Sequence, residues 1–79
     1  MSNLKFNFSQ FLIEKGFLES QTNVFDKNYS YYFKFSIQIE KEMVYFSPIN
    51  VEIFIKPVKI PKNYKDAEKL LNNIESIIL

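Results

Sequence analysis

YSYYFKFSIQIE, residues 29 to 40, decides how the rest of the chain is read. Tyr31, Phe33, Phe35, Ile37 and Ile39 fall on one parity, and Tyr32, Lys34, Ser36, Gln38 and Glu40 on the other. Apolar and polar side chains alternating with period two belong on opposite faces of a strand, and aromatic and β-branched types suit a pleated surface. The stretch is expected to be the middle strand of a small antiparallel sheet, its odd residues turned to the core.

The segments on either side follow from that strand. Glu40-Lys41-Glu42-Met43 reads as a hairpin with Lys41 and Glu42 as its loop. Ile39 then opposes Val44 and Ile37 opposes Phe46, which turns Val44 and Phe46 inward. Farther on, Ile49, Val51, Ile53 and Ile55 are apolar at odd positions, so the parity changes after Phe46. A bulge or break at Ser47-Pro48 repairs it, since proline cannot donate to a ladder. Ile49 is then expected near Phe35, Val51 near Phe33 and Ile53 near Tyr31, with the strand ending near Lys56-Pro57. On the N-terminal side, Thr22 to Phe25 reads as a short strand and Asp26-Lys27-Asn28 as the turn. A two-residue loop there turns Val24 to the core, and a three-residue loop turns Phe25.

Two helices complete the pattern. Asn7 is a candidate N-cap with Gln10 three residues on, and Phe6 and Phe11 are placed to form a hydrophobic staple. Gly16, the only glycine, stands where a left-handed residue ends a helix, with Phe17 folding back toward Leu12. A helix is expected from Asn7 or Phe8 to Lys15. A second starts at Asn63, with Asp66 in its first turn suited to the helix dipole. Its apolar stripe is Ala67, Leu70, Leu71, Ile74, Ile77 and Ile78. The fold class expected is α+β: α-β-β-β-α, a three-stranded antiparallel meander with two helices packed on one face, residues 1–79 forming a single domain.

Composition narrows the function. The 79 residues contain no cysteine and no histidine, which removes disulfides, the usual zinc ligands, the commonest general base and the strongest nucleophile. One glycine cannot build a phosphate loop, and no carboxylate run has calcium-loop spacing. Glu40, Glu42 and Asp26 read as solvated turn residues. No catalytic residue, metal or cofactor is expected, and the chain is read as a non-enzyme. No apolar run reaches the length of a membrane span and no leader pattern opens the sequence, so a cytoplasmic protein is expected. All ten cations are lysine, and the net charge is only +1. Many Lys, Asn and Ile with no Arg also resemble the product of an AT-rich genome.

Two surfaces are candidates. The first is the outer sheet face, on which Tyr32, Lys34, Gln38, Tyr45, Glu52 and Phe54 are expected together, mixing rings with charges as protein interfaces do. Phe54 is expected to pair across strands with Tyr32. The second is Lys56, Lys59, Lys62, Lys65 and Lys69, with only Asp66 and Glu68 as acids among them. The helix-strand-strand-strand-helix order is similar to that of double-stranded-RNA-binding domains. That likeness implies phosphate contacts from Lys62, Lys65 and Lys69 near the start of the last helix. The function expected is a small protein-binding module acting by surface occlusion, as an inhibitor from a phage or mobile element or as a homodimer. The alternative is a nucleic-acid-binding domain using the lysines. A small-molecule pocket between helices and sheet is a third reading.

Overall fold

The computed structural model describes residues 6–31, 33–49 and 53–79. The chain runs α1 (Phe8–Glu14), β1 (Leu18–Gln21), β2 (Val24–Asn28), β3 (Lys34–Glu40), β4 (Met43–Ile49), β5 (Val58–Lys59) and α2 (Tyr64–Ile78). Among the described residues it is an α+β fold with an antiparallel sheet and two helices, but the sheet has five strands in sequential order, not three. The likeness in element order to double-stranded-RNA-binding domains therefore ends with the helices at the two ends.

Both helices are fixed by local chemistry. Asn7 caps α1 by accepting from the Gln10 N–H at 3.0 Å, and the Phe6 and Phe11 rings lie 6.0 Å apart across the cap. At the other end, Phe17 N–H donates to Leu12 O (3.0 Å) and Gly16 N–H to Ile13 O (3.1 Å), with Gly16 at φ +100°. That pair of bonds is a Schellman stop. Asn63 caps α2: its Oδ1 accepts from Asp66 N–H at 2.8 Å, and its amide returns a bond to the Asp66 carboxylate at 3.2 Å. Ala67, Leu71 and Ile74 are buried and Leu70 and Ile78 partly so, whereas Ile77, expected on that stripe, is exposed.

The middle strand is shorter than its alternation suggests. β3 begins at Lys34, and Tyr31 is 100% exposed instead of facing the core. The N–H groups of Tyr29 and Ser30 both donate to Phe33 O, at 2.9 and 3.3 Å, which reverses the chain between Tyr29 and Phe33. The expected turn at Asp26-Lys27-Asn28 is instead part of β2. Tertiary partners override its turn-forming composition. Asp26 accepts from Ser36 Oγ, and the Lys27 ammonium donates to Lys15 O at 2.8 Å while lying over the Tyr29 ring. The turn into β3 thus falls later than expected, and Thr22-Asn23, expected to open a strand, instead turns between β1 and β2, with Asn23 at φ 63°. Phe25 opposes Ile37 and is fully buried, so Phe25 and not Val24 faces the core.

The Lys41-Glu42 hairpin forms as expected, with Ile39 opposite Val44 and Ile37 opposite Phe46. The bulge at Ser47-Pro48 is absent: pairing continues without a shift to Phe35↔Pro48 and Lys34↔Ile49. Counting back from the two-residue loop, Phe35 and Pro48 form a non-hydrogen-bonded pair. The ring nitrogen of Pro48 points away from β3, so the ladder loses nothing. The ladder with β5 is short, joining only Met43↔Lys59 and Val44↔Val58. Residues 53 to 57 are not in a strand. Ile49 therefore pairs with Lys34 on the open face, Ile53 has no strand partner, and Val51 lies outside the described residues. Among the described residues, a register shift lies in β1, between Glu19 and Gln21.

The core lies between the helices and the odd face of β3. Phe8, Phe11, Leu12, Phe17, Phe25, Phe35, Ile37, Val44, Ala67, Leu71 and Ile74 form one buried cluster. No polar side chain is buried among the described residues. The space bounded by Phe8, Leu12, Ile37, Phe46, Leu70 and Leu71 admits no water-sized body. The expected small-molecule pocket between helices and sheet is thus filled by side chains.

Lys41 sits at φ 58° in the β3–β4 loop, a left-handed conformation that a side chain makes costly. Replacing Lys41 with glycine should raise stability by about 0.5–1 kcal/mol, read as a higher urea midpoint.

Candidate functional site

The pairing register lays out the uncovered face of the sheet row by row, because residues directly opposite share a face. Glu40, Met43 and Lys59 form one row, and Val24, Gln38 and Tyr45 the next. Then come Leu18, Asp26, Ser36 and Ser47, and finally Asn28, Lys34 and Ile49. The buried residues of both helices belong to the cluster on the opposite side. Tyr45 and Ile49 remain 39% and 41% exposed on this face, and Leu18 projects at its β1 margin.

Charge is scarce in the middle of the face. Ser36 Oγ donates to Asp26 Oδ1 at 2.6 Å, and the Lys34 ammonium lies 3.7 Å from Asp26 Oδ2. Burial pushes the Asp26 carboxyl up, but hydrogen bonds from Ser36 and Ser20 and the Lys34 charge outweigh it and hold the group below its ordinary value of 3.8. A depressed carboxyl stabilises the fold above its unfolded pKa and loses that contribution as pH falls through the folded value. Ser36→Ala should therefore cost about 1 kcal/mol at pH 7, and the difference from the parent should shrink below about pH 4. Urea unfolding of both proteins at pH 7 and pH 3 reads it.

Of the residues expected on this surface, Lys34, Gln38 and Tyr45 are there together. Phe54 is not: it belongs to no strand and stands 82% exposed between half-buried Ile53 and Ile55. Tyr32 and Glu52, and with Tyr32 the expected Phe54–Tyr32 pair, lie outside the described residues. Ile49, Met43 and Leu18 join this face beyond the expected residues, and Val24 takes the outward one of its two alternatives. Counting the Lys41-Glu42 hairpin forward without a bulge would have found Ile49.

β1 is four residues long and interrupted by its register shift, and β5 is two residues between Pro57 and Pro61. Short, bulged or proline-flanked edges resist strand addition. Beyond Val44, among the described residues, β4 itself has no strand partner on the β5 side, and Pro48 offers no N–H there.

The lysines do not converge. Lys59 pairs with Met43 on the open face, whereas Lys65 and Lys69 are exposed on α2, which packs on the other side. Lys56 is exposed ahead of β5, and Lys62 is exposed on the connector from β5 to α2. The start of α2 is already occupied by the Asn63 cap and the Asp66 carboxylate, which reduces its pull on an external anion.

Among the described residues no three of His, Cys, Asp and Glu come together as metal ligands, and no helix is long and apolar enough to cross a membrane. No protein-family model, curated protein or solved structure matches the chain.

Proposed function

We propose that this chain is a small non-enzymatic protein-binding module that docks through the open face of its sheet. The observation that carries the reading is Tyr45 and Ile49, exposed beside a charge-poor centre in which Asp26 accepts a hydrogen bond from Ser36 and is paired with Lys34. Interfaces between proteins have this make-up, aromatic and depleted of unpaired charge at the middle. Lys34 and Gln38 are the polar contacts of the same patch, and Phe54 is an exposed ring outside the ladder. The finer reading is an inhibitor of a larger protein, encoded by a phage or mobile element and acting by covering a functional surface. Small size, an AT-rich-looking composition and a sparse catalytic inventory motivate it.

The test compares two variants of the immobilised protein in extract of its native host, each checked for fold by circular dichroism. Tyr45→Ser/Ile49→Ser should lose a specific protein partner by at least about tenfold, because aromatic anchors dominate interface energy. Lys65→Ser/Lys69→Ser should retain it. Retention by the folded sheet-face variant overturns the reading. Recovery of nucleic acid that the lysine variant and raised salt both remove would favour the alternative of phosphate binding by Lys56, Lys59, Lys62, Lys65 and Lys69.

A further inference from the structure

The open face of the sheet has an order along its strands as well as across them. On β3, Glu40 stands at one end and Lys34 at the other, with the uncharged Gln38 and Ser36 between them. On β4, Met43 and Ile49 stand at the two ends, with Tyr45 and Ser47 between them. The ends of each strand suit one another: opposite charges on β3, apolar chains on β4. Glu40 is exposed and has no ion pair among the described residues. Lys34 meets Asp26 at 3.7 Å with its side chain 44% exposed, and an ammonium has three donors, so that pair does not exhaust it.

Such a pattern is complementary to itself. A half-turn about an axis lying along the face and across the strands brings a second copy over the first with the rows in reverse order. β3 then runs antiparallel over β3, and β4 over β4. Lys34 of each copy faces Glu40 of the other, and Met43 faces Ile49, each contact being made twice. Gln38 faces Ser36 and Tyr45 faces Ser47 beside the axis. Asp26 faces Val24, its carboxylate already hydrogen-bonded to Ser36 and paired with Lys34 in its own chain. Packed sheets stand about 10 Å apart, which a lysine and a glutamate side chain span together. The other half-turn, about an axis along β3, keeps the rows in register. It sets Glu40 against Glu40 and Lys34 against Lys34, and like charges oppose it.

We infer that the open face takes a second copy of this chain, as a two-fold dimer with antiparallel strands joined by Lys34–Glu40 pairs and Met43–Ile49 contacts. This rests on the sheet-face reading and gives that face its partner. Five strands at about 4.8 Å spacing, each about 20 Å long, offer on the order of 500 Å² per copy, less than the roughly 800 Å² of a standard interface. The dimer is therefore weak, and a tighter partner at the same face displaces it.

Sedimentation equilibrium of the whole protein, from about 10 µM to about 1 mM in low salt, should show monomer and dimer in exchange. Lys34→Glu and Glu40→Lys, each checked for fold by circular dichroism, should each weaken the dimer at least about fivefold, because each sets like charges face to face. Mixed in equal amounts the two variants should associate again, since every facing pair is then opposite in sign. Glu40→Lys breaks no ion pair of the monomer among the described residues, so it tests the contact even where Lys34→Glu fails to fold. In isotope-filtered NMR, a contact between the Met43 and Ile49 side chains reports the dimer alone, because the two ends of β4 are about 20 Å apart within one copy. A monomer at about 1 mM, charge variants that leave association unchanged, or a mixture that does not re-associate each overturns the second copy as partner. If such a monomer still captures a host protein that Tyr45→Ser/Ile49→Ser loses, the sheet-face reading stands without the dimer. If Tyr45→Ser/Ile49→Ser alters neither capture nor association, both fall.

Discussion

Phe35→Ala should cost this protein about 4 kcal/mol, at least about a third of its stability. A chain of this size has a total of about 4–12 kcal/mol. Phe35 is fully buried near the start of β3. Its ring stacks on Phe46 at 6.0 Å and 16°, and meets the edge of Tyr29 at 6.4 Å and 81°. Lys27 and Pro48 oppose it on the two neighbouring strands, so neither neighbour on the sheet is an apolar chain free to swing into the gap. Lys27 is held by its bond to Lys15 O, and Pro48 is rigid. The cavity should therefore stay open, which puts the cost in the upper part of the large-to-small range. Urea denaturation measures it. Tyr31→Ala is the control: it has the same parity in the same stretch of sequence but is fully exposed, and should stay within about 0.5 kcal/mol of the parent. A loss under 1 kcal/mol for Phe35→Ala would mean that the core is not organised around β3.

That pair of positions also shows what could and could not be read from the chain. Signals that close within a few residues were legible. The Asn7 and Asn63 caps, the Gly16 stop and the Lys41-Glu42 hairpin each need only near neighbours in sequence. What failed depends on distant partners. Asp26-Lys27-Asn28 has the composition of a turn, and only Ser36, Lys34 and the Lys15 carbonyl make it a strand. Once those residues are extended, the chain must reverse later, and the alternation at Tyr31 is spent on a loop. The Pro48 error has the opposite character. Composition predicts that proline breaks pairing, but at a non-hydrogen-bonded position it breaks nothing on the β3 side. Without the bulge, Ile49 stays on the same face of β4 as Tyr45. The lysines were grouped by nearness in sequence, which the turn from β5 into α2 undoes.

Gly16→Ala should cost about 2 kcal/mol, although it removes no contact and adds only a methyl group. Gly16 holds φ +100°, where a side chain of ordinary handedness is strained. The Schellman stop depends on that conformation, because it aims Gly16 N–H at Ile13 O and brings the next residue's N–H back to Leu12 O. Losing it would displace Phe17, a fully buried ring, and with it the entry into β1. A second cause must be separated from the first. The added Cβ would lie 3.4 Å from Lys27 Cε and 3.5 Å from its ammonium, and Lys27 caps Lys15 O. These are near-ordinary contact distances to a flexible side chain, so the backbone should account for most of the loss. Combining the change with Lys27→Ala tests that: the cost of Gly16→Ala should persist in that background, with a coupling below about 0.5 kcal/mol. D-alanine at position 16, introduced by chemical synthesis, has the mirror-image preference and should match or exceed the parent in stability. If D-alanine proved as damaging as L-alanine, contact and not handedness would be the reason that the chain's single glycine stands here.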